Sequence, residues 1–549
     1  MIQLKPLYTH NSGSFDEGAA EIAAYDAQRQ QIFVTNAQQN TVDILNISTP
    51  SNLTLVDQIS LAAHGAGVNS VAVHNGVVAI AVEANSKQDP GQVVFFDNQG
   101  TYLNAVTVGA LPDMVTFTPD GTKVLVANEG EPSSYQQADS IDPYGSVSII
   151  DISAGVNNAQ VKTADFRRFN FHSEQVTASG IRIFGPDANI AQDLEPEYIA
   201  VASDSSTAWV SLQENNALAV VDLNEGRITD ILPLGYKDLS LRNNAFDASN
   251  EDNSINITHW ENVPLYSMYQ PDAISTYIAS DNQTYIVTAN EGDSRADYPG
   301  FDEEARITDL SLDATAFPNA AELQAESNLG RLKVTNTLGD SDNDGDYDAL
   351  YTFGGRSFSI WDTQGNLVFD SGDDFERIIA KTNPENFNST NDENGSFDDR
   401  SDDKGPEPEA ITIGEVGGQT YGFIGLERDS GIMVYDITNP TAVKFVQYIN
   451  NRNFNVDAQL SDGTSNPEAG DLGPEGLVFI SAEDSPNGQP ILVVANEISG
   501  TTTTYSVETV SPRAVNPMNV PASPPWYSSF SSVIFLLGLI TVSGIRAKR

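Results

Sequence analysis

One short pattern recurs seven times between about residues 19 and 508: a small or proline residue, then an acidic or amide one, then a β-rich run. The runs begin AAEIAAYD (19 to 26), VNSVAVHN (68 to 75), PDMVTFTP (112 to 119), PEYIAVAS (196 to 203), PDAISTYI (271 to 278), PEAITIGE (408 to 415) and PEGLVFIS (474 to 481). After a turn each is followed by a second strand: IFVTNA, VAIAVEA, KVLVANEG, AWVSLQEN, YIVTANEG, YGFIGLER and ILVVANEI. A third strand ending near aspartate often comes next, as in SVSIIDIS and GIMVYDIT. Units of three or four short strands, repeated at spacings of about 40 residues or more, are the pattern of blades around a central channel. The expected fold is therefore all-β, a seven-bladed β-propeller with long loop insertions on one face. The N-terminal LKPLYTH supplies the outer strand that the last unit lacks. A parallel βαβ fold would need a helix after most strands, and those periodic segments are absent. A solenoid of strands would have shorter and more uniform repeats. Only residues 302 to 327 read as a long helix, placed in an insertion.

The 549 residues carry 27 basic and 76 acidic side chains, a net charge of −49 with histidine neutral. Such a surface repels a phosphate backbone, which excludes nucleic acid as a partner. With 40% hydrophobic and 9% aromatic residues, the chain is not a disordered acidic polymer. It has no cysteine, so any metal is bound through oxygen. His10, His64, His74, His172 and His259 lie far apart with no ligand-like spacing, so a zinc site or a histidine triad would need tertiary convergence.

Aligning the repeats puts Glu21, Asn69, Asp113, Glu197, Asp272, Glu409 and Glu475 at the start of the inner strand. Glu83, Glu129, Glu214, Glu291, Glu427 and Glu497 fall at the end of the second strand, with Asn36 nearby in the first unit. These two positions share one end of an antiparallel pair, so two acidic rings crowd one mouth of the channel. Like charges this close raise one another's pKa unless cations neutralise them. A structural reading is also open, in which these side chains accept hydrogen bonds from loops joining the blades. The insertions 131 to 146, 170 to 194, 236 to 269, 293 to 357, 381 to 406 and 451 to 472 leave from the same end. Long loops on a rigid scaffold carry function.

Within one insertion, DSDNDGDYD places Asp340, Asp342, Asp344, Asp346 and Asp348 at alternate positions, with Gly345 at the sixth. That spacing suits Ca²⁺, which takes 6 to 8 oxygen ligands around a tight turn. The twelfth position departs from an EF-hand, since Tyr351 replaces the bidentate glutamate. The run 391 to 409 reads as a flexible acidic loop. Arg295, Arg356 and Arg428 follow second-strand ends or their insertions. Each is either a charge-balancing partner or part of an anion clamp beside bound cations.

The start, MIQLKPLYTH, holds no apolar run of signal-peptide length. At the other end a proline-rich linker (511 to 526) precedes YSSFSSVIFLLGLITVSGI (527 to 545) and a basic tip at Arg546, Lys548 and Arg549. An uncharged stretch of that length suits a transmembrane or sorting segment, with the tip cytoplasmic and the body outside. The expected organisation is thus a propeller over 1 to 510, a linker over 511 to 526 and a C-terminal anchor over 527 to 549.

FDEGAAEIAAYD, the VANEG and TANEGD motifs, LGDSDNDGDYDALYTFGGRSFSIWD, DDKGPEPEAITIG, GLERDSGIMVYDIT and GPEGLVFI together resemble the choice-of-anchor I domain family. The resemblance runs from about residue 7 to 508. It implies a bacterial surface or secreted propeller, similar also to animal mesenchyme-specific cell surface glycoproteins and often labelled alkaline phosphatase-like. It brings no agreed catalytic set. Two functions stay open. One is a monomeric, surface-displayed, calcium-dependent propeller that binds an extracellular ligand or partner through its acidic face. The other is a phosphoester hydrolase acting on a phosphorylated small molecule. There Ca²⁺ held by Glu129, Glu291 and Glu427 activates water, while Arg356 and Arg428 steady the oxyanions.

Overall fold

The second strand of each repeat is apolar on both sides, and that property sets the architecture. Gln31–Asn36 and Ile491–Asn496 are buried along their whole length, so each needs packing on both faces of its sheet. The computed structural model describes residues 1 to 16 and 18 to 510. In it the repeats form four-stranded antiparallel sheets whose neighbours supply those two faces. Seven such sheets occur among the described residues. The first joins Ala23–Asp26, Gln31–Asn36, Thr41–Asn46 and Thr54–Ser60 in chain order. The seventh is completed from the opposite end of the chain. There Ile2–Asn11 runs antiparallel to Thr501–Thr509, from Ile2 opposite Thr509 to Asn11 opposite Thr501.

An apolar layer lies between each sheet and the next. Phe33 and Ile44 of the first sheet pack with Val71 and Ile80 of the second. Trp209 of the fourth packs with Ile286 and Trp361 of the fifth. The last layer joins Ile491 and Val493 of the seventh sheet to Ile32 and Val34 of the first. The succession of interfaces therefore closes on itself, and the fold is an all-β propeller. Outer strands are built differently. Thr54–Ser60 is exposed except at Ile59, and its Asp57 and Gln58 discourage pairing with another chain.

The N-terminal strand closes the ring by burial as well as by pairing. Leu4 is 1% exposed and packs in the layer that holds Phe423, Leu492 and Tyr505. Leu4→Ala is expected to destabilise the protein by about 2 to 5 kcal/mol through the lost apolar contact and the cavity left behind. Urea unfolding followed by tyrosine and tryptophan fluorescence measures this as a lower midpoint at unchanged slope.

The insertions are folded. Tyr236–Asp238, Leu265–Met268 and Leu350–Thr352 form a three-stranded sheet, and Glu304–Arg306 pairs with Lys333–Thr335. Phe246, Leu265, Phe317, Leu329 and Val334 give them a core of their own. The long helix expected over 302 to 327 is absent: that stretch holds a short strand, a 3-10 turn and the four-residue helix Ala320–Leu323. Asp313 breaks it by accepting the Thr315 and Ala316 amides, and Pro318 cannot continue a helix already begun. The run 391 to 409 is likewise ordered. Asn391, Asp398, Ser401, Asp402 and Glu407 are all buried; Arg400 and Lys404 within the run pair with Glu407, and Arg306 and Arg331 from outside it pair with Asp402. Among the described residues no helix is long and apolar enough to cross a membrane. The linker (511 to 526) and the expected anchor (527 to 549) lie outside the described residues.

Candidate functional site

The register of the inner hairpins explains why acids gather at one mouth. Pro112 stands opposite Asn128, Pro408 opposite Leu426 and Pro474 opposite Asn496. Asp113, Glu409 and Glu475, one residue on, therefore share an end with Glu129, Glu427 and Glu497. The same ladders slip directly after those prolines, and the second sheet slips between Val68 and Ser70. Asn69, Asp113, Glu409 and Glu475 thus sit in irregularities of the ladder, where a residue is freed from pairing and its side chain is re-aimed.

The carboxylates so placed act on one another across the channel. Burial first, and then Asp113, Glu497 and Asp272, push Glu21 well above the ordinary carboxylate range. Burial followed by Glu214, Asp272, Glu129 and Asp113 does the same to Glu197. Burial and Glu131 raise Asp113 to about 6. Glu195 Oε1, Glu197 Oε2, Glu214 Oε2, Glu409 Oε2 and Glu475 Oε2 are buried and meet no hydrogen-bond donor. Unmet buried carboxylate oxygens are costly. A proton shared between acids or a bound cation satisfies them.

Two three-carboxylate groups stand out beside the channel. Glu129, Glu195 and Glu214 form the first, and Glu291, Glu407 and Glu427 the second; within each, one oxygen per residue lies within 4.8 Å of the others. Asp272 and Glu409 make a further group with Glu291. The second group carries its own cations. Lys404 Nζ lies 2.7 Å from Glu291 Oε1 and 3.0 Å from Glu407 Oε2, Arg400 binds Glu407 Oε1 at 2.5 Å, and Arg428 reaches Glu407 at 3.3 Å and Glu427 at 3.1 Å. Burial opposes ionisation of Glu407, but Lys404, Arg400 and Arg428 hold its carboxyl well below the usual range. Its φ of 51° is a left-handed backbone on a non-glycine residue, strain of the kind found where surroundings fix a side chain for a purpose.

The arginines are largely consumed. Arg356 is not assembled with Glu129 or Glu291. Its terminal nitrogens donate to Glu376 and to the carbonyls of Asp247, Ser401 and Asp403, which ties two insertions together. Arg295 binds Asp193 at 2.5 Å and Glu195 at 3.0 Å while its guanidinium lies 4.5 Å from the Phe184 ring centroid. Arg428 is 30% exposed and is the most accessible of the three.

The aspartate loop divides into two clusters. Asp340, Asp342 and Asp344 converge, whereas Asp346 and Asp348 meet Asp313. The loop is already shaped: Asp340 accepts the amides of Asp344 at 3.2 Å and Gly345 at 3.1 Å, and Gly345 takes a φ of 98° that a side chain would resist. Burial and Asp344 push Asp346 up to about 6. Tyr351 stacks on Tyr266, so the twelfth position is a packing position of the neighbouring small sheet and not a ligand.

Asp313, Glu195, Glu407 and Lys404 were not singled out by the sequence patterns. A signal for two of them exists: Glu195-Pro196-Glu197 and Glu407-Pro408-Glu409 are doubled acids flanking the proline that opens the inner strand.

The chain is 29% identical to Gigasin-3a of Magallana gigas over 211 residues, 37% of this chain and 74% of that protein. It is 28% identical to the mesenchyme-specific cell surface glycoprotein of Strongylocentrotus purpuratus over 325 residues, 50% of this chain but only 40% of that protein. The Cps50 (Swd1) β-propeller domain of Myceliophteria thermophila superposes with a TM-score of 0.41 at 8% identity, covering 91% of this chain and 100% of the domain. The model of the choice-of-anchor I domain matches residues 21 to 440, from the first inner strand into the sixth sheet. Since that match spans well over half of the sequence, the chain belongs to the choice-of-anchor I domain family.

Proposed function

We propose that this chain is a seven-bladed, surface-displayed propeller that takes up Ca²⁺ and binds an extracellular ligand or partner over its acidic mouth. The observation that carries the reading is the set of buried carboxylate oxygens at that mouth that meet no donor. A divalent cation can satisfy several such oxygens at once, where a shared proton joins two. The seven closed sheets supply the blades, and the resemblance to a protein named as a cell surface glycoprotein supports display outside the cell. Residues 527 to 549 are the proposed anchor and 511 to 526 the proposed linker, with 1 to 510 as a monomeric body. Calcium loading of Asp340, Asp342, Asp344, Asp346 and Asp348 would fix the insertion that carries them.

A calcium-dependent phosphoester hydrolase is the second reading, and Arg428, partly exposed beside Glu427, favours it. The engagement of Arg356 by Glu376 and three carbonyls weighs against a two-arginine clamp. The expected outcome is that Ca²⁺ raises the Tm, that Asp340→Asn/Asp342→Asn/Asp344→Asn removes part of that rise, and that no phosphomonoester turnover accompanies it. Scanning calorimetry and a chromogenic phosphate-ester assay, each with and without chelator, check this. A Tm indifferent to calcium and chelator would remove the calcium reading, and calcium-dependent turnover would install the hydrolase.

A further inference from the structure

The two three-carboxylate groups beside the channel are one constellation built twice. Each takes a glutamate from the second-strand end of one sheet, Glu129 or Glu291. Each adds the glutamate preceding the proline of the next sheet, Glu195 or Glu407, and that sheet's own second-strand glutamate, Glu214 or Glu427. In the Glu291 group a lysine ammonium sits between the carboxylates, with Lys404 Nζ at 2.7 Å and 3.0 Å from two of them. In the Glu129 group the cation supply differs. Arg295 takes only the far oxygen of Glu195 and is shared with Asp193, and the terminal nitrogens of Arg182 go to the Glu214 carbonyl and to Glu303 while its Nε meets no acceptor. Glu195 Oε1 and Glu214 Oε2, on residues only 1% and 4% exposed, therefore meet no donor beyond a proton shared between these two acids.

We propose that Glu129, Glu195 and Glu214 form a buried binding site for a divalent cation of the calcium class, at the position that Lys404 fills in the equivalent group. All the ligands are hard carboxylate oxygens, the set that selects Ca²⁺ over softer metals. Their mutual spacing, within 4.8 Å, fits oxygens around an ion at about 2.3 to 2.6 Å from each. The site is pre-organised. Asn215 accepts the Glu195 amide and donates to the Asp193 carbonyl, and Arg295 anchors the Glu195 carboxylate from behind at 3.0 Å. Burial pushes Glu129 and Glu195 well above the ordinary range and raises Glu214 as well; Glu131 and Asp113 add most to Glu129, while Arg295 opposes the rise in Glu195 and Glu214. In the lysine-bearing group Glu407 is held low, although burial pushes its neighbour Glu427 well above the ordinary range. The site is independent of the aspartate loop and of any ligand over the mouth. An ion there would join the third and fourth sheets, since Glu129 belongs to one and Glu195 and Glu214 to the other.

The test uses terbium as a calcium probe, excited through tyrosine, on the full chain carrying Asp340→Asn/Asp342→Asn/Asp344→Asn/Asp346→Asn/Asp348→Asn, which silences both clusters of the loop. Tyr135 and Tyr298 feel the charges of Glu195 and Glu214, so they lie close enough to sensitise an ion at this site. The loop variant is expected to retain one sensitised terbium that Ca²⁺ displaces, and adding Glu214→Gln is expected to weaken it by about 10- to 100-fold or more. Should the loop variant hold no ion, or should Glu214→Gln leave the retained ion unchanged, the site is overturned and a shared proton joins Glu195 to Glu214. The stoichiometry of the loop variant stands even where Glu214→Gln fails to fold. Failure of the loop as a calcium site would appear separately, as a loop variant that binds exactly as many ions as the unaltered chain.

Discussion

Lys404→Met is expected to destabilise the protein by about 3 to 5 kcal/mol, the cost of stripping the partner from buried charge. Lys404 Nζ donates to Glu291 Oε1 at 2.7 Å and to the Gly292 carbonyl at 2.6 Å, and it pairs with Glu407 at 3.0 Å. Methionine keeps much of the volume and removes all of this. Glu407 is 0% exposed and would retain only Arg400 and Arg428. Glu291 would retain the Gln213 amide. Because Lys404 belongs to the insertion before the sixth sheet while Glu291 ends a strand of the fifth, the lysine also joins two sheets. Its loss should therefore lower the midpoint of global unfolding in urea without a change of slope. Added Ca²⁺ is expected to restore part of the loss, since the vacated group then matches its metal-type counterpart.

In chelator, the protein is expected to be more stable near pH 5 than near pH 8, the reverse of ordinary acid denaturation. The sign follows from the direction of the shifts. Glu21, Glu409 and Glu475 are all pushed well above the usual carboxylate range, by burial first and by neighbouring acids second. A carboxyl raised in the folded state contributes its full stability below its unfolded pKa of about 4.3, and loses it as the pH climbs through the folded value. Asp113, moved from 3.8 to about 6, alone loses about 1 kcal/mol of this between pH 5 and pH 6. Asp293, raised to about 8 chiefly by burial, carries the loss on towards pH 8. Glu407 acts in the opposite sense. Its lowered value contributes stability above the unfolded pKa that is lost as the pH falls through the folded one. Maximum stability is thus expected at mildly acidic pH, with a Tm about 5 °C or more higher there than at pH 8. Saturating Ca²⁺ should flatten the slope, because a bound cation favours the ionised carboxylates. Calorimetry across pH with and without chelator measures both.

Much of this was legible in the sequence because propeller repeats punctuate themselves. A proline followed by an acid marks five of the seven inner strands, and ILVVAN or KVLVAN marks a strand that must be buried on both faces. The N-terminal strand was legible by subtraction, since the last repeat lacked an outer strand. Convergence of the acids followed from antiparallel geometry. What the patterns did not supply was compensation. Whether an acid at the mouth is neutralised depends on residues from insertions, and Lys404, Arg400 and Arg295 reach their partners across 113, 7 and 102 positions. The run 391 to 409 looked like a solvated acidic loop because its charges were read one by one. Folded, it delivers Lys404 and Glu407 into the mouth. The stretch 302 to 327 looked helical by composition, but Asp313 and Pro318 sit where a helix would need continuous backbone bonding. Arg356 was placed near the mouth by its position after TFGG, and its rigid fork was instead used to join two insertions.

The central claim is that the acids of this mouth are arranged for cations. Crystals of the full chain grown with terbium in place of calcium, and measured at the terbium edge, test it most directly. The account predicts anomalous peaks at Asp340–Asp342–Asp344 and at Glu129–Glu195–Glu214, and no peak at Glu291–Glu407–Glu427, where Lys404 already stands. A map without a peak at the first two groups would contradict it, leaving the acidic rings as protonated structural residues of the blades.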